Sequence, residues 1–163
     1  MRFGFPFGIK NPKTRIDIAW AVIEPEKDQL KGANKNYFTV QRWADVSDKS
    51  QGITMAVNDA PLLEVGGMNA EAWITSSDEQ HWATKAEPSS LLYSWVMNNS
   101  WHTNFKASQE GISSYRYSLQ PHKQFSYLQA YKFGVEQSQP LLPVYNQDVP
   151  LQIFKVNENT SAV

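Results

Sequence analysis

The sequence predicts an all-β fold, mainly antiparallel, arranged as a β-sandwich with one short helix. Three observations carry that reading. Nine Pro and eight Gly are spread along 163 residues, which leaves little room for long helices. Short runs of alternating polarity, rich in aromatic and β-branched residues, recur between turn signals. Strand and helix patterns do not alternate, which argues against a parallel α/β core.

Phe3, Phe5 and Phe7 alternate with small or turn residues and predict a first strand, which Pro6 confines to an edge. Arg15 to Glu24 has the clearest period of two. It predicts one strand with Ile16, Ile18, Trp20 and Val22 on one face, ended by Pro25. Glu26 to Asn36 is polar and reads as a long connection. Tyr37 to Val46 predicts a second continuous strand. Ser47 to Gly52 is a turn, and Ile53–Val57 and Leu62–Val65 are short strands around Asn58-Asp59-Ala60-Pro61. Residues 69–90 are irregular. Leu91–Met97 and Ser113–Gln120 return to strand character, the second stopped by Pro121. A helix is expected near residues 123–133, with Phe125, Leu128 and Tyr131 at helical spacing and Gly134 as its stop. Leu151–Val156 is read as a last strand. The whole chain, 1–163, is expected to be a single β-sandwich domain.

Composition narrows the function classes. The chain has 15 Lys plus Arg against 16 Asp plus Glu and no basic run, which argues against a nucleic-acid footprint. With no Cys, disulfides and Cys-ligated metal sites are excluded. No apolar stretch reaches the roughly 20 residues a membrane-spanning helix needs. The N-terminus, MRFGFPFGIK, lacks the pattern of a secretory signal, so a soluble chain is expected. His81, His102 and His122 are too far apart for a paired-His metal motif, and no GxSxG, phosphate loop or GxGxxG is present.

What remains is a set of aromatic and amide side chains. Asn98, Asn99, Trp101, His102 and Asn104 gather amides, an indole and an imidazole in one polar block, the groups that hold sugar hydroxyls and stack on pyranose faces. They are the candidate carbohydrate contacts. Trp20 and Trp95 lie in apolar runs and are expected in the core. Trp43, Trp73, Trp82 and Trp101 have polar neighbours and are candidates for a sugar-stacking platform or an interface. Glu24, Glu26 and Asp28 read as a solvated turn, and Asp45 and Asp48 as turn-forming acids.

Several blocks resemble the C-terminal β-domain of glycoside hydrolase family 38, the α-mannosidase-like enzymes. They are FPF at Phe5–Phe7, RIDIAWAVIEPEKDQL at Arg15–Leu30, FTVQRWADVS at Phe38–Ser47 and GITMAVNDAPLLEVGG at Gly52–Gly67. LLYSWVMNNSWHTNF at Leu91–Phe105, EGISSYRYSLQPH at Glu110–His122 and FGVEQSQPL at Phe133–Leu141 follow in the same order. The resemblance implies a segment of a supersandwich similar to galactose mutarotase, packed on a separate catalytic domain. It also implies a retaining, metal-dependent parent enzyme whose divalent metal, typically zinc, and Asp nucleophile lie in that other domain. No catalytic or metal-ligating residue carries over to this chain. The expected role is therefore non-catalytic: support of the catalytic domain, with the Asn98–Asn104 loop at the rim of the carbohydrate site. The alternative is a stand-alone carbohydrate-binding module. The expected partners are the rest of the parent polypeptide and carbohydrate, with an exposed aromatic patch or open strand edge that favours self-association.

Overall fold

The computed structural model describes residues 1–68, 82–86, 88–97, 108–141, 143 and 145. Within them two antiparallel sheets face each other. The first sheet joins β1 (Arg2–Pro6), β8 (Leu91–Trp95), β7 (Leu62–Val65) and β4 (Phe38–Thr39) in that spatial order. The second joins β3 (Ala21–Ile23), β2 (Lys13–Ile18), β5 (Trp43–Ser47), β6 (Gly52–Val57) and β9 (Tyr117–His122). Every pairing is antiparallel. Phe38, Leu63 and Leu92 of the first sheet share one buried cluster with Ile16, Ala44, Val46, Met55 and Val57 of the second. That shared core makes the pair a sandwich-like fold, as alternation predicts. Tyr117 ties the layers directly: its hydroxyl donates to Ser94 Oγ across the core at 2.7 Å.

A third layer lies on the outer face of the second sheet. Helix α2 (Tyr127–Ser138) packs on β5 and β6. Ser126 caps it, its side chain accepting from the Gln129 N–H. The helix thus begins later than 123 and runs past Gly134, where the sequence predicts a stop. Gly134 is a packing residue: a Cβ there would lie 2.5 Å from Trp43 Cδ1 and 3.2 Å from Arg42 Cβ. Because α2 covers the outer face, β5 is buried on both sides, and Trp43 is fully buried. A sugar platform at Trp43 is therefore excluded. Trp95 is buried, as expected, with its indole N–H on Met97 O at 2.9 Å.

Three predicted strands need correction. Arg15–Glu24 is a hairpin, β2 and β3, turning at Ala19-Trp20. Ile16 pairs Ile23 and Asp17 pairs Val22, so Ile23 rather than Val22 joins the core after the turn. Tyr37–Val46 is split: β4 belongs to one sheet and β5 to the other, with Val40–Arg42 crossing between them. Val40 N–H bonds Pro61 O at 2.8 Å and Gln41 N–H bonds Asp17 O at 2.8 Å, so the crossing is pinned to both layers. Finally, β9 runs through Pro121 to His122; it is an edge strand, where a missing N–H costs nothing on the open side. Pro6 likewise sits on the edge strand β1, as predicted.

The polar connection after Pro25 contains a single helical turn, α1 (Pro25–Asp28). Glu24 pairs with Lys13 at 2.7 Å, Asp28 accepts the Glu24 N–H at 2.8 Å, and Glu26 accepts the Ala86 N–H. All three acids are occupied in local structure. Leu151–Val156 lies outside the described residues.

Candidate functional site

Two places on the second sheet bring chemistry-bearing side chains together. The first is a polar knot under the start of α2. Asp45 of β5 is completely buried. Its Oδ1 accepts from Ser47 Oγ at 2.6 Å and Arg15 Nη1 at 3.1 Å; its Oδ2 pairs with Thr54 Oγ1 at 3.0 Å and His122 Nε2 at 2.6 Å. The register explains the convergence. Arg15, Asp45 and Thr54 are directly paired across β2, β5 and β6, and Ser47, Gly52 and His122 form the next row. Gly52 leaves the path open: a Cβ there would collide with Ser47 Cβ and His122 Cε1. Phe125 closes the knot, with the Arg15 guanidinium 4.0 Å from its ring centroid.

This knot is a clamp rather than a catalytic dyad. Four donors occupy the roughly four lone-pair positions of a carboxylate. His122 Nε2 reaches Asp45 Oδ2 at 2.6 Å and completes that set. The Ser47 proton goes to Asp45, and Ser47 Oγ in turn accepts from Arg15 Nη1 at 2.7 Å. Among the described residues, the hydroxyls of Ser47 and Thr54 both turn to Asp45 and not to the imidazole, whereas an activated nucleophile would face its base. The turn-forming role expected of Asp45 is overturned. Asp48 keeps it, with its side chain accepting from the Ser50 N–H at 2.7 Å and the Gln51 N–H at 2.9 Å. Those bonds hold its carboxyl below the usual range.

The second place is a groove of about 590 Å³ between the β2–β3 tip and α2. Trp20, Tyr127, Leu128 and Tyr131 line it together with Asp17, Gln41 and Arg42. Trp20 sits at the tip with φ +68° and is 91% exposed. The core position expected for it is therefore wrong. Period two continues through Trp20 in the sequence, but the chain reverses there, and the indole leaves the sheet. Tyr127 and Leu128 on the facing helix are also exposed.

Asp17 gives the groove its polarity. The residue is 5% exposed, and its Oδ2 is buried without a hydrogen bond. Arg42 Nη1 is ion-paired with that oxygen at 4.0 Å. Burial pushes the Asp17 carboxyl above the usual range, while the Arg42 guanidinium and backbone N–H pull it down. Arg42 also lies 5.8 Å from the Tyr131 ring centroid.

The residues singled out in the sequence divide differently. Asn98, Asn99, Trp101, His102 and Asn104 lie outside the described residues, as do Trp73 and His81. Trp82 is half-buried and spends its indole N–H on Gly32 O at 2.9 Å. The groove residues had no motif to announce them. The one available signal was Trp20 itself, an indole between two alanines with apolar neighbours on both sides. Among the described residues no three His, Asp or Glu side chains gather as a metal site would need, and no helix is long and apolar enough to cross a membrane.

Set against known proteins, the chain matches no family model, no curated protein and no solved structure. The α-mannosidase-like resemblance accordingly rests on its sequence blocks alone.

Proposed function

We propose that this chain is a non-catalytic β-sandwich binding domain whose ligand seats in the groove between the β2–β3 tip and α2. If the sequence blocks reflect kinship with α-mannosidase-like hydrolases, it accompanies a separate catalytic domain that holds the metal. The observation that carries the reading is Trp20. A bulky residue at positive φ is disfavoured by roughly 1–2 kcal/mol, and here that residue is a tryptophan presented almost wholly to solvent. Strain of this kind persists where a side chain is wanted at a particular place. The groove also falls in the range of about 300–1,000 Å³ usual for ligand sites and combines apolar walls with a few polar groups.

The test is calorimetric titration of the full chain with a panel of neutral oligosaccharides, quaternary ammonium ions and apolar peptides, repeated with Trp20→Gly. Glycine suits the turn conformation, so the variant retains the fold. Binding by the wild type that the variant loses supports the reading. A wild type silent to the whole panel, or binding indifferent to the substitution, overturns it.

A further inference from the structure

We infer that the occupant of the groove is a second copy of this chain: residues 140–143, Pro-Leu-Leu-Pro, of each copy seat in the groove of the other. This rests on the binding role proposed above and names its partner. The chain carries both halves of the contact in exposed form. On one side are Trp20, Tyr127 and Leu128, exposed at the groove. On the other are Pro140, Leu141 and Pro143, all exposed past the end of α2, Leu141 at 98%. The spacing P-x-x-P is that of the polyproline II segments that dock into aromatic grooves. Two prolines also limit the freedom the segment gives up on docking.

A chain cannot seat this segment in its own groove. The groove lies along the first turns of α2, and the segment leaves at the far end. Leu128 and Ser138 are ten residues apart, about 15 Å at a helical rise of roughly 1.5 Å per residue. Pro140 follows two residues later and reaches back at most about 7 Å, so the four residues cannot span their own groove. Two copies with their α2 helices antiparallel remove the mismatch, because each C-terminal end then lies beside the other's N-terminal half. The same arrangement sets Lys132 of each helix against Glu136 of the other. Both are exposed, and they continue the stripe of Leu128 about one and two turns further on.

The area fits an exchange better than a one-way contact. Aromatic side chains bury about 150–250 Å² each, so the exposed parts of Trp20, Tyr127 and Leu128 offer roughly 400 Å². That is about half of the roughly 800 Å² each partner contributes to a stable interface. Reciprocal exchange gives each copy a groove contact and a segment contact, which makes up the difference and closes the pair. A one-way contact leaves a groove and a segment open and continues into a row of copies. At the small end of interface sizes the dimer dissociates readily, and the groove is open in dilute solution.

Sedimentation of the full chain from about 1 μM to about 1 mM tests this. The expected result is a concentration-dependent dimer with no larger species. Trp20→Gly, and separately the double variant Pro140→Ser/Pro143→Ser, weaken dimerisation about tenfold or more. Lys132→Glu weakens it as well, and Lys132→Glu/Glu136→Lys restores it, because opposite charges then face each other again. The peptide SQPLLPVY, residues 138–145, dissociates the dimer when added in excess. A wild type that stays monomeric throughout, a dimer indifferent to Trp20→Gly and to the proline variant, or open-ended growth overturns the exchange. If a member of the ligand panel above still binds in a way that Trp20→Gly abolishes, the groove stands as a binding site and only its partner is wrong. A monomer that binds no member of the panel overturns both.

Discussion

Trp20 is held at φ +68° with 91% of its surface exposed, so its side chain contributes little packing to offset the conformation. Trp20→Gly should therefore leave stability equal or raise it by up to about 1 kcal/mol, the strain relieved less the added freedom of the unfolded chain. Urea unfolding measures this; a loss above that size would mean the indole packs more than its exposure allows. Asp17, two pairs away along β2, predicts a pH dependence of defined sign. Its folded carboxyl titrates above the ordinary carboxylate range because of burial. The folded state then holds the proton more tightly than the unfolded chain. Stability from this group is full below the usual carboxylate value and is lost as pH rises through the raised one. Asp17→Asn should accordingly be more stable than wild type at neutral pH and lose that advantage in acid, read from unfolding midpoints across pH. An advantage that grows toward acid would contradict the assignment. Asp45 is a buried carboxylate with all its positions filled. Asp45→Ala leaves Arg15 and His122 without their shared partner in the sheet, and the expected loss is about 3–5 kcal/mol. A loss below about 1 kcal/mol would show that the knot is not a clamp.

Helix α2 decides which side chains become site and which become core. It lies over β5 and β6, burying Trp43 and leaving the β2–β3 tip uncovered beside it. Gly134 permits that approach. In Gly134→Ala two effects compete. Helix propensity favours Ala by about 1 kcal/mol; overpacking against the fully buried Trp43 costs about 1–3 kcal/mol. The contact lies 2.5 Å away and involves a side chain with no room to move, so a net loss of stability is expected on chemical denaturation. A gain would mean that α2 is not seated on Trp43. The same elements show what could be read in the sequence and what could not. The strands β6, β7 and β8 were legible because alternation and turn residues agree at Asn58–Pro61 and after Ser47. The β2–β3 turn was not, because Ala19-Trp20 contains neither Gly nor Asn and the apolar alternation passes through it unbroken. The switch of sheets at Val40–Arg42 was hidden for a related reason. Both flanking strands are apolar, and local pattern does not record which sheet a strand joins. Gly134 carries the ordinary signal of a helix stop, and only tertiary packing reveals its other use.

Among the described residues, the two sheets and helix α2 form three layers, and the outer face of the second sheet does two different things. At its β5–β6–β9 side, the Arg15–Asp45–Thr54–His122 knot lies beside Phe125 and joins four strands. At its β2–β3 side the layer ends early, and the groove opens between hairpin and helix. The candidate site was the least legible feature because it belongs to no single segment: Asp17 and Trp20 come from the hairpin, Gln41 and Arg42 from the crossing, and Tyr127 and Tyr131 from the helix. Only the assembled layers bring them together. The proposed binding role places the ligand in this groove and not at the polar knot. Mapping of amide chemical shifts in the isotope-labelled chain, titrated with the same ligand panel, tests it most directly. The expected shifts are concentrated at Asp17–Val22, Gln41–Arg42 and Tyr127–Tyr131. Shifts concentrated at Asp45, Thr54 and His122 with the groove unmoved, or no shifts with any member of the panel, would contradict it.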